Sequence, residues 1–227
     1  MCFSAEASFA ASALLIPSGG VSLYLAVKTD RRYVPLCALP VLFGLQQFFE
    51  GMVWVSGAGA NYEAIRHYSI AYMFFAWLAW PVWIPFATYF VEPCRWKPLY
   101  LLGSIIGGML GATLYFPYFA NEGWLTVNFL PKAVVYSGKQ TFDFIWPRDV
   151  TYAIYLASIV LPPILSTRPE VRVFGLLVFL AFGVTYLFFQ FAYISVFCFL
   201  GGLVSIYLVL MMARLARDKA RSDPACC

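Results

Sequence analysis

The sequence has little charge, and this excludes a soluble globular protein. Charged residues make up 11% of the 227 residues, less than half of the roughly 25% that is usual in globular chains. Hydrophobic residues make up 62%, which is more apolar surface than a soluble protein of this length could bury. The net charge of +4 is not gathered into a basic face, which argues against nucleic acid as a partner. The expected partner is the lipid bilayer, around an integral, multi-pass membrane protein.

Seven apolar segments are each long enough to cross a bilayer, which requires about 17–25 residues. They cover residues 5–27, 34–55, 68–91, 99–119, 150–166, 173–189 and 195–215. The sequence therefore predicts an all-α fold, a seven-transmembrane helix bundle. The transmembrane domain comprises residues 1–215 with one long outer loop at 120–149, and residues 216–227 form a tail.

Basic residues favour one orientation of this bundle. Eleven of the 15 Lys and Arg residues lie in alternate links and in the tail, at Lys28, Arg31, Arg32, Arg95, Lys97, Arg168, Arg172, Arg214, Arg217, Lys219 and Arg221. Links rich in Lys and Arg stay on the cytoplasmic side of membrane proteins. The pattern predicts an N-terminus outside and a cytoplasmic C-terminus.

The long outer loop contains a run, residues 134–142, that is rich in β-branched and aromatic residues around Ser137-Gly138. Such a run around a Ser-Gly turn predicts a short outer β-hairpin. The hairpin is either a lid over the outer mouth of the bundle or a packed surface loop.

No Lys lies within a predicted span, which excludes a retinal Schiff base, and the one Arg, Arg214 at the end of the seventh span, does not make a voltage sensor. Apart from Glu6 at the start of the first span, one carboxyl group lies within a span. Glu50 follows Gln46 and Gln47 by four and three residues, so the three share an arc of about 100° on the helix. A charge near mid-bilayer costs about 2.5–3.5 kcal/mol, so Glu50 is expected to face the bundle interior. It is either a functional group (a metal ligand, proton carrier or catalytic general base) or a protonated group that fixes helix packing.

Two further side chains of the predicted outer half could bind a ligand. His67 is the only histidine and stands at the start of the third span, where it is either a ligand or an interfacial residue. Cys198 lies early in the seventh span, shortly after Gln190 and Tyr193. A buried lone cysteine is either a ligand or a small apolar side chain.

Cys2 carries a thiol and, after removal of Met1, a free α-amine on the same residue. It could chelate a soft metal such as copper or zinc, form a disulfide with Cys198 in an oxidising compartment, or be inert. The sequence thus predicts a polar pocket in the outer half of the bundle. Its metal ligands would be Cys2, Glu50, His67 and Cys198, and its ligand-binding residues Gln46, Gln47, Gln190 and Tyr193.

The chain resembles a family of uncharacterised multi-pass membrane proteins. The resemblance rests on Met1-Cys2-Phe3-Ser4-Ala5, Ala7-Ser8, Leu45-Gln46-Gln47, Glu50-Gly51 and Val53-Trp54, together with His67, Trp80-Pro81 and Phe197-Cys198-Phe199. It covers most of the helical core, and it supports the fold and the choice of site residues. It implies no activity, because the family has none established.

Three classes of function fit the predicted pocket. With a bound copper or zinc ion and Glu50 as general base, the protein would be a metal-dependent membrane hydrolase, although a single histidine is few for such a site. Alternatively, Glu50 would be the gate of a proton-coupled small-solute transporter. A sensor or assembly subunit without chemistry is the third class. The paired Cys226 and Cys227 of the tail could carry lipid anchors.

Overall fold

The computed structural model describes residues 4–130, 133–145, 147–189 and 192–222. Within these ranges the chain forms seven helices of 17 residues or more and one two-stranded sheet. The helices are α1 (Ala5–Thr29), α2 (Arg31–Ala58), α3 (Tyr62–Val91), α4 (Lys97–Ala120), α5 (Arg148–Ile164), α6 (Pro169–Phe188) and α7 (Tyr193–Ser222). The strands are β1 (Leu125–Leu130) and β2 (Ala133–Gly138).

Six of these helices, all except α5, are long and apolar enough to cross a membrane. Large apolar side chains remain exposed on their outer faces, for example Met109 on α4 and Leu180 on α6. In water such faces would be unfavourable, and in a bilayer they meet lipid. The prediction of a multi-pass helical membrane protein is confirmed. The prediction that residues 173–215 form two helices and not one is also confirmed, because α6 ends at Phe188 and α7 begins at Tyr193.

Glycine lets neighbouring helices approach closely at two places. A Cβ on Gly44 of α2 would lie 2.6 Å from a side-chain carbon of Ile16 on α1. A Cβ on Gly111 of α4 would lie 2.6 Å from the carbonyl oxygen of Trp77 on α3. Small residues at helix contacts are a common basis of packing within membranes. These contacts fix α1 against α2 and α3 against α4.

The third helix changes its winding in the middle. Residues Phe74–Ala79 of α3 form a π-helical turn between two α-helical parts, Tyr62–Met73 and Trp80–Val91. Such turns occur often at functional sites. This one places Trp77 in the bundle interior, where its side chain is 3% exposed.

The predicted hairpin exists, but its turn is not where the sequence suggested. The two strands are antiparallel, with Leu125 opposite Gly138 and Leu130 opposite Ala133. Ser137-Gly138 therefore ends β2, and the predicted turn at that position is wrong. The physical reason is that residues 125–130, whose side chains alternate between half-buried and exposed over 125–128, provide the partner strand. The hairpin packs on the bundle, since a Cβ on Gly57 of α2 would meet the ring of Phe129.

The hairpin defines one end of the bundle, called the hairpin end below. The opposite end has its own anchor. Glu92, just after α3, accepts hydrogen bonds from the Ser166 hydroxyl and from the Thr167 N–H, the latter at 3.0 Å. Arg168 donates to the carbonyl of Val91 at 3.3 Å. The helix α7 continues without a break through the predicted boundary at residue 215 and reaches this end.

Candidate functional site

A buried carboxyl group lies at the centre of the hairpin-end half of the bundle. Glu50 of α2 has no exposed surface, and the same is true of Gln46 and Gln47. Helical spacing puts the three side chains on neighbouring positions of one face, as predicted. Ser195, in the first turn of α7, donates its hydroxyl hydrogen bond to Oε1 of Glu50. This bond joins α2 to α7 across the bundle.

Several polar atoms of this group have no hydrogen-bond partner among the described residues. They are Oε2 of Glu50 and both amide atoms, Oε1 and Nε2, of Gln46 and of Gln47. Gln47 lies beside Glu50, but no hydrogen bond of proper geometry joins the two. A buried polar group without a partner costs about 1–3 kcal/mol. A cluster of them is unusual in a native structure and therefore needs an explanation.

Cys198 belongs to the same group of side chains. It lies one helical turn after Ser195 and is 4% exposed. Its thiol lies beside Tyr72, Gln46 and Trp80 and close to the carboxyl of Glu50. Cys198 is a free cysteine. The thiol and the carboxyl group therefore share one buried environment, as the sequence predicted for these two residues.

His67 does not join this group. Its side chain is exposed, and its Nδ1 lies 2.9 Å from the carbonyl oxygen of Glu63, one turn earlier on the same helix. Within the described ranges, no three His, Cys, Asp or Glu residues form a group that could hold a metal ion. Glu50, His67 and Cys198 are all described, so together they do not form the predicted metal site. Cys2 and Gln190 lie outside the described residues, and their predicted contributions stay predictions.

A cavity of about 210 Å³ lies between the hairpin and the buried carboxyl group. Ser195 forms part of its wall, so the hydroxyl that binds Glu50 separates that carboxyl from the cavity. The predicted ligand residue Tyr193 also lines it, together with Gln140 and Arg148. The strand β2 forms the outer wall. The hairpin thus covers the mouth of the bundle, in the position that a lid would occupy.

A matched family model gives the chain its place among known proteins. The model covers residues 1–224, nearly the whole chain, and its description is a family of unknown function, DUF6629. The chain belongs to the DUF6629 family. No curated protein and no solved structure matches this DUF6629 protein. The resemblance to an uncharacterised family is consistent with this result, and the structure alone must supply a function.

Three hydrogen-bonding residues of this site in the DUF6629 chain were not predicted from the sequence. The first is Ser195, a single serine in an apolar helix, which carries no pattern that reveals its partner. The others are Gln140 and Tyr152: the Gln140 amide donates to the Tyr152 hydroxyl at 3.3 Å, and Tyr193 donates to the same oxygen. These bonds connect the hairpin, α5 and α7. No local signal predicts them, because they join segments that are distant in the chain.

Proposed function

We propose that this protein is a seven-helix membrane protein that binds a small polar ligand next to Glu50, in the half of the bundle that faces outside. The observation that carries the proposal is the set of buried, unpaired oxygen and nitrogen atoms on Gln46, Gln47 and Glu50. Every one of these atoms belongs to a side chain with no exposed surface. None of the three side chains lines the cavity beneath the hairpin, so a ligand there would satisfy these atoms once Ser195, the cavity residue bonded to Glu50, turns aside.

The contacts of α5 support the count of seven spans. At the hairpin end, Arg148 of α5 donates to Asp143 and to the carbonyl of Gly138, the latter at 3.1 Å. At the opposite end, Ser166, two residues after α5, bonds to Glu92. The helix α5 therefore connects the two ends, as a spanning helix must. Its 17 residues give a length of about 25 Å, close to the bilayer core of about 30 Å.

Seven spans place the hairpin and the N-terminus on one side and the end of α7 on the other. Eleven of the 15 Lys and Arg residues belong to the links and tail at the end opposite the hairpin. The excess of basic residues at that end supports a cytoplasmic C-terminus. The Glu50 site then lies in the outer half of the membrane and is approached from outside, beneath the hairpin.

The chemistry of the site favours an uncharged ligand with several donors and acceptors. The two amides offer both kinds of group, and the Ser195 hydroxyl and the Glu50 carboxyl add more. Among the described residues, Glu50 contacts Ser195, Gln47 and Cys198, none of which is basic. With these contacts alone, an ionised carboxylate would be very costly. A neutral polyol or amide could hydrogen-bond to a protonated Glu50.

Thiol labelling at the cavity wall tests whether small polar molecules reach the site. The variant Ser195→Cys is treated with a water-soluble methanethiosulfonate, and the modified peptides are identified by mass spectrometry. Ser205→Cys is the matched control, because Ser205 is equally buried on the same helix and lines no described cavity. The exposed native Cys94 reports the activity of the reagent. Both serines are fully buried, but Ser195 lines the cavity, so a smaller local opening exposes it, and we expect the thiol of Ser195→Cys to react at least about tenfold faster than that of Ser205→Cys.

Binding is then measured as protection of the same thiol. Glycerol represents a neutral polyol and acetamide a neutral amide, and at least one of them should slow labelling of Ser195→Cys without slowing that of Cys94. Glu50→Gln, which keeps the shape and removes the acid, should weaken this protection. Equal, slow labelling of the two serine-to-cysteine variants, or an absence of protection by both solutes, would contradict the proposal.

The other predicted activities have less support. A zinc or copper hydrolase needs more metal ligands than the described residues bring together, and of the predicted ligands Cys2 lies outside the described residues. Elemental analysis of the purified protein, with Glu50→Gln as control, addresses this version. Proton-coupled transport and a sensor role also stay predictions, because no contact among the described residues distinguishes them.

A further inference from the structure

A second and larger cavity adjoins the polar one. It has a volume of about 520 Å³, within the range of about 300–1,000 Å³ that holds a drug-sized molecule. Helices α5, α6 and α7 and the π-helical turn of α3 form its walls. These walls are mostly apolar and include Leu156, Phe182 and Phe197. The cavity is therefore suited to hydrocarbon and not to a polar solute.

This apolar cavity lies where lipid would surround the protein. Its rim near the hairpin end carries Asp149 and Tyr186, both of them exposed. From Asp149 to Leu156 along α5 the distance is about 10 Å, so the cavity extends from the rim well into the apolar part of the bundle. Ile154 of α5 and Leu180 of α6, close to its walls in sequence, point exposed side chains outward. Within a bilayer, lipid chains would touch both faces.

The two cavities are separated only by a thin wall of shared side chains. Trp77, Tyr152, Tyr193 and Ile194 line both of them. The ring of Tyr152 stacks on Trp77 with centroids 6.0 Å apart, and its hydroxyl accepts the hydrogen bond of Tyr193. Separation of Tyr152 from Tyr193 would open the wall. The polar cavity next to Ser195 and the apolar cavity would then form one continuous chamber.

The polarity of this chamber changes from one end to the other. One end has Ser195 and, behind it, the unpaired atoms of the Glu50 group, while the other end has aromatic and aliphatic side chains. Cys198 lines the apolar cavity and also lies beside Gln46, so the two surroundings meet at this residue. A small polar solute would leave the larger cavity without a role. A hydrocarbon alone would leave the polar cavity, with Ser195, Gln140 and Arg148 in its wall, without a role.

We infer that the ligand of this protein is a membrane amphiphile with one apolar chain, whose uncharged polar head occupies the cavity beneath the hairpin and whose chain occupies the cavity between α5, α6 and α7. The inference rests on the proposed function, because the head would reach the Glu50 group through Ser195, which lines the cavity and bonds to Glu50. The amphiphile enters from the bilayer through the rim at Asp149 and Tyr186. The pair Tyr152 and Tyr193 must separate to admit it.

A monoacylglycerol is the probe that tests this inference, since it joins a neutral polyol head to a single chain. The assay is the protection of Ser195→Cys from the methanethiosulfonate, with the protein in lipid nanodiscs. We expect monoacylglycerol to protect at concentrations at least about a hundredfold below those at which glycerol protects, because burial of the chain adds affinity. A monoacylglycerol that carries a diazirine in its chain should, on illumination, label the walls at Phe182 and Phe197 more than the lipid-facing Leu180.

Two matched tryptophan variants separate the cavity from the lipid surface. Ala153 lines the cavity, whereas its neighbour Ile154 is an exposed residue that does not. Combined with Ser195→Cys, Ala153→Trp should abolish protection by monoacylglycerol and leave protection by glycerol intact. Ile154→Trp should change neither. The melting temperature of each variant shows whether it is folded.

The outcomes distinguish this inference from the proposal on which it rests. Protection by glycerol that monoacylglycerol does not exceed, or an equal effect of the two tryptophan variants, would overturn the amphiphile and leave the polar site standing. Photolabelling of Phe182 and Phe197 in a protein whose Ser195→Cys is inert would mean that the cavity holds lipid chains unconnected to a polar site. Both the inference and the proposed function would then be rejected.

Discussion

Replacing Gln46 with methionine should stabilise the ligand-free protein. The glutamine side chain has no exposed surface, and neither of its amide atoms has a partner among the described residues. Methionine has nearly the same length and no amide, so it fills the same volume without burying a donor and an acceptor. Met is also a good helix former. The change therefore removes a cost from the folded state and leaves the packing of α2 intact.

The expected gain follows from the cost of the unpaired amide. A buried polar group without a partner costs about 1–3 kcal/mol, and the thioether of methionine brings no comparable cost. For a chain of this length, 1 kcal/mol corresponds to about 2–4 °C in melting temperature. We expect Gln46→Met to raise the melting temperature by about 2–12 °C in ligand-free protein.

Thermal unfolding in a mild detergent, followed by circular dichroism, measures this effect. Gln140→Met is the comparison, because the Gln140 amide nitrogen donates to Tyr152 at 3.3 Å while its Oε1 has no partner among the described residues. Loss of that hydrogen bond costs about 0.5–1.5 kcal/mol. Gln140→Met should therefore raise the melting temperature less than Gln46→Met, or lower it. A lower melting temperature for Gln46→Met would show that its amide is paired in the folded protein, and the argument for a ligand site would lose its basis.

Two further predictions concern the hairpin and the helix contacts. The hydrogen bonds from Arg148 hold the pKa of Asp143 below its ordinary value. The pair therefore stabilises the hairpin above about pH 4, by about 1 kcal/mol or less. This contribution is lost as the pH falls through the pKa of Asp143 in the folded state. Amide hydrogen exchange of β1 and β2, corrected for its intrinsic pH dependence, should show this loss in wild type and not in Asp143→Asn, and identical profiles would contradict it. Gly111→Ala should lower the melting temperature, because its Cβ would meet a backbone carbonyl oxygen of α3 at 2.6 Å, whereas the nearest contact in the control Gly103→Ala is 3.7 Å. Equal melting temperatures would show that the two helices can move apart at little cost.

Much of the fold could be predicted because lipid imposes a simple rule on sequence. Apolar length sets the spans, and the helices of the structure overlap all seven predicted segments. Helical spacing alone placed Gln46, Gln47 and Glu50 on one face. These predictions needed only local information. The turn of the hairpin was wrong because a strand needs a partner, and the partner 125–130 lay outside the run that is rich in β-formers.

The rest of the site depends on which faces of distant helices meet. The predicted orientation of the spans put His67 near the same end of the bundle as Glu50. That orientation carries no information on the direction in which the His67 side chain points. The imidazole of His67 instead contacts Glu63, four residues earlier, a spacing that is visible in the sequence. The pairing of Tyr152 with Tyr193 joins α5 to α7. Only packing brings these helices together, and no single-sequence pattern specifies it.

A second buried carboxyl group in the same chain, that of Glu92, allows the hydrogen bonding of Glu50 to be compared with that of a structural acid. Glu92, 4% exposed, accepts hydrogen bonds at both carboxyl oxygens, from Ser166 and from the backbone N–H of Thr167, and so anchors the end opposite the hairpin. Glu50 is buried as deeply, yet only one of its oxygens has a described partner. A carboxyl group that serves packing is expected to have its hydrogen bonds complete, since each missing bond weakens the fold. Glu92 meets that expectation and Glu50, among the described residues, does not, and this difference between two acids of one protein supports the proposal that Glu50 binds a ligand.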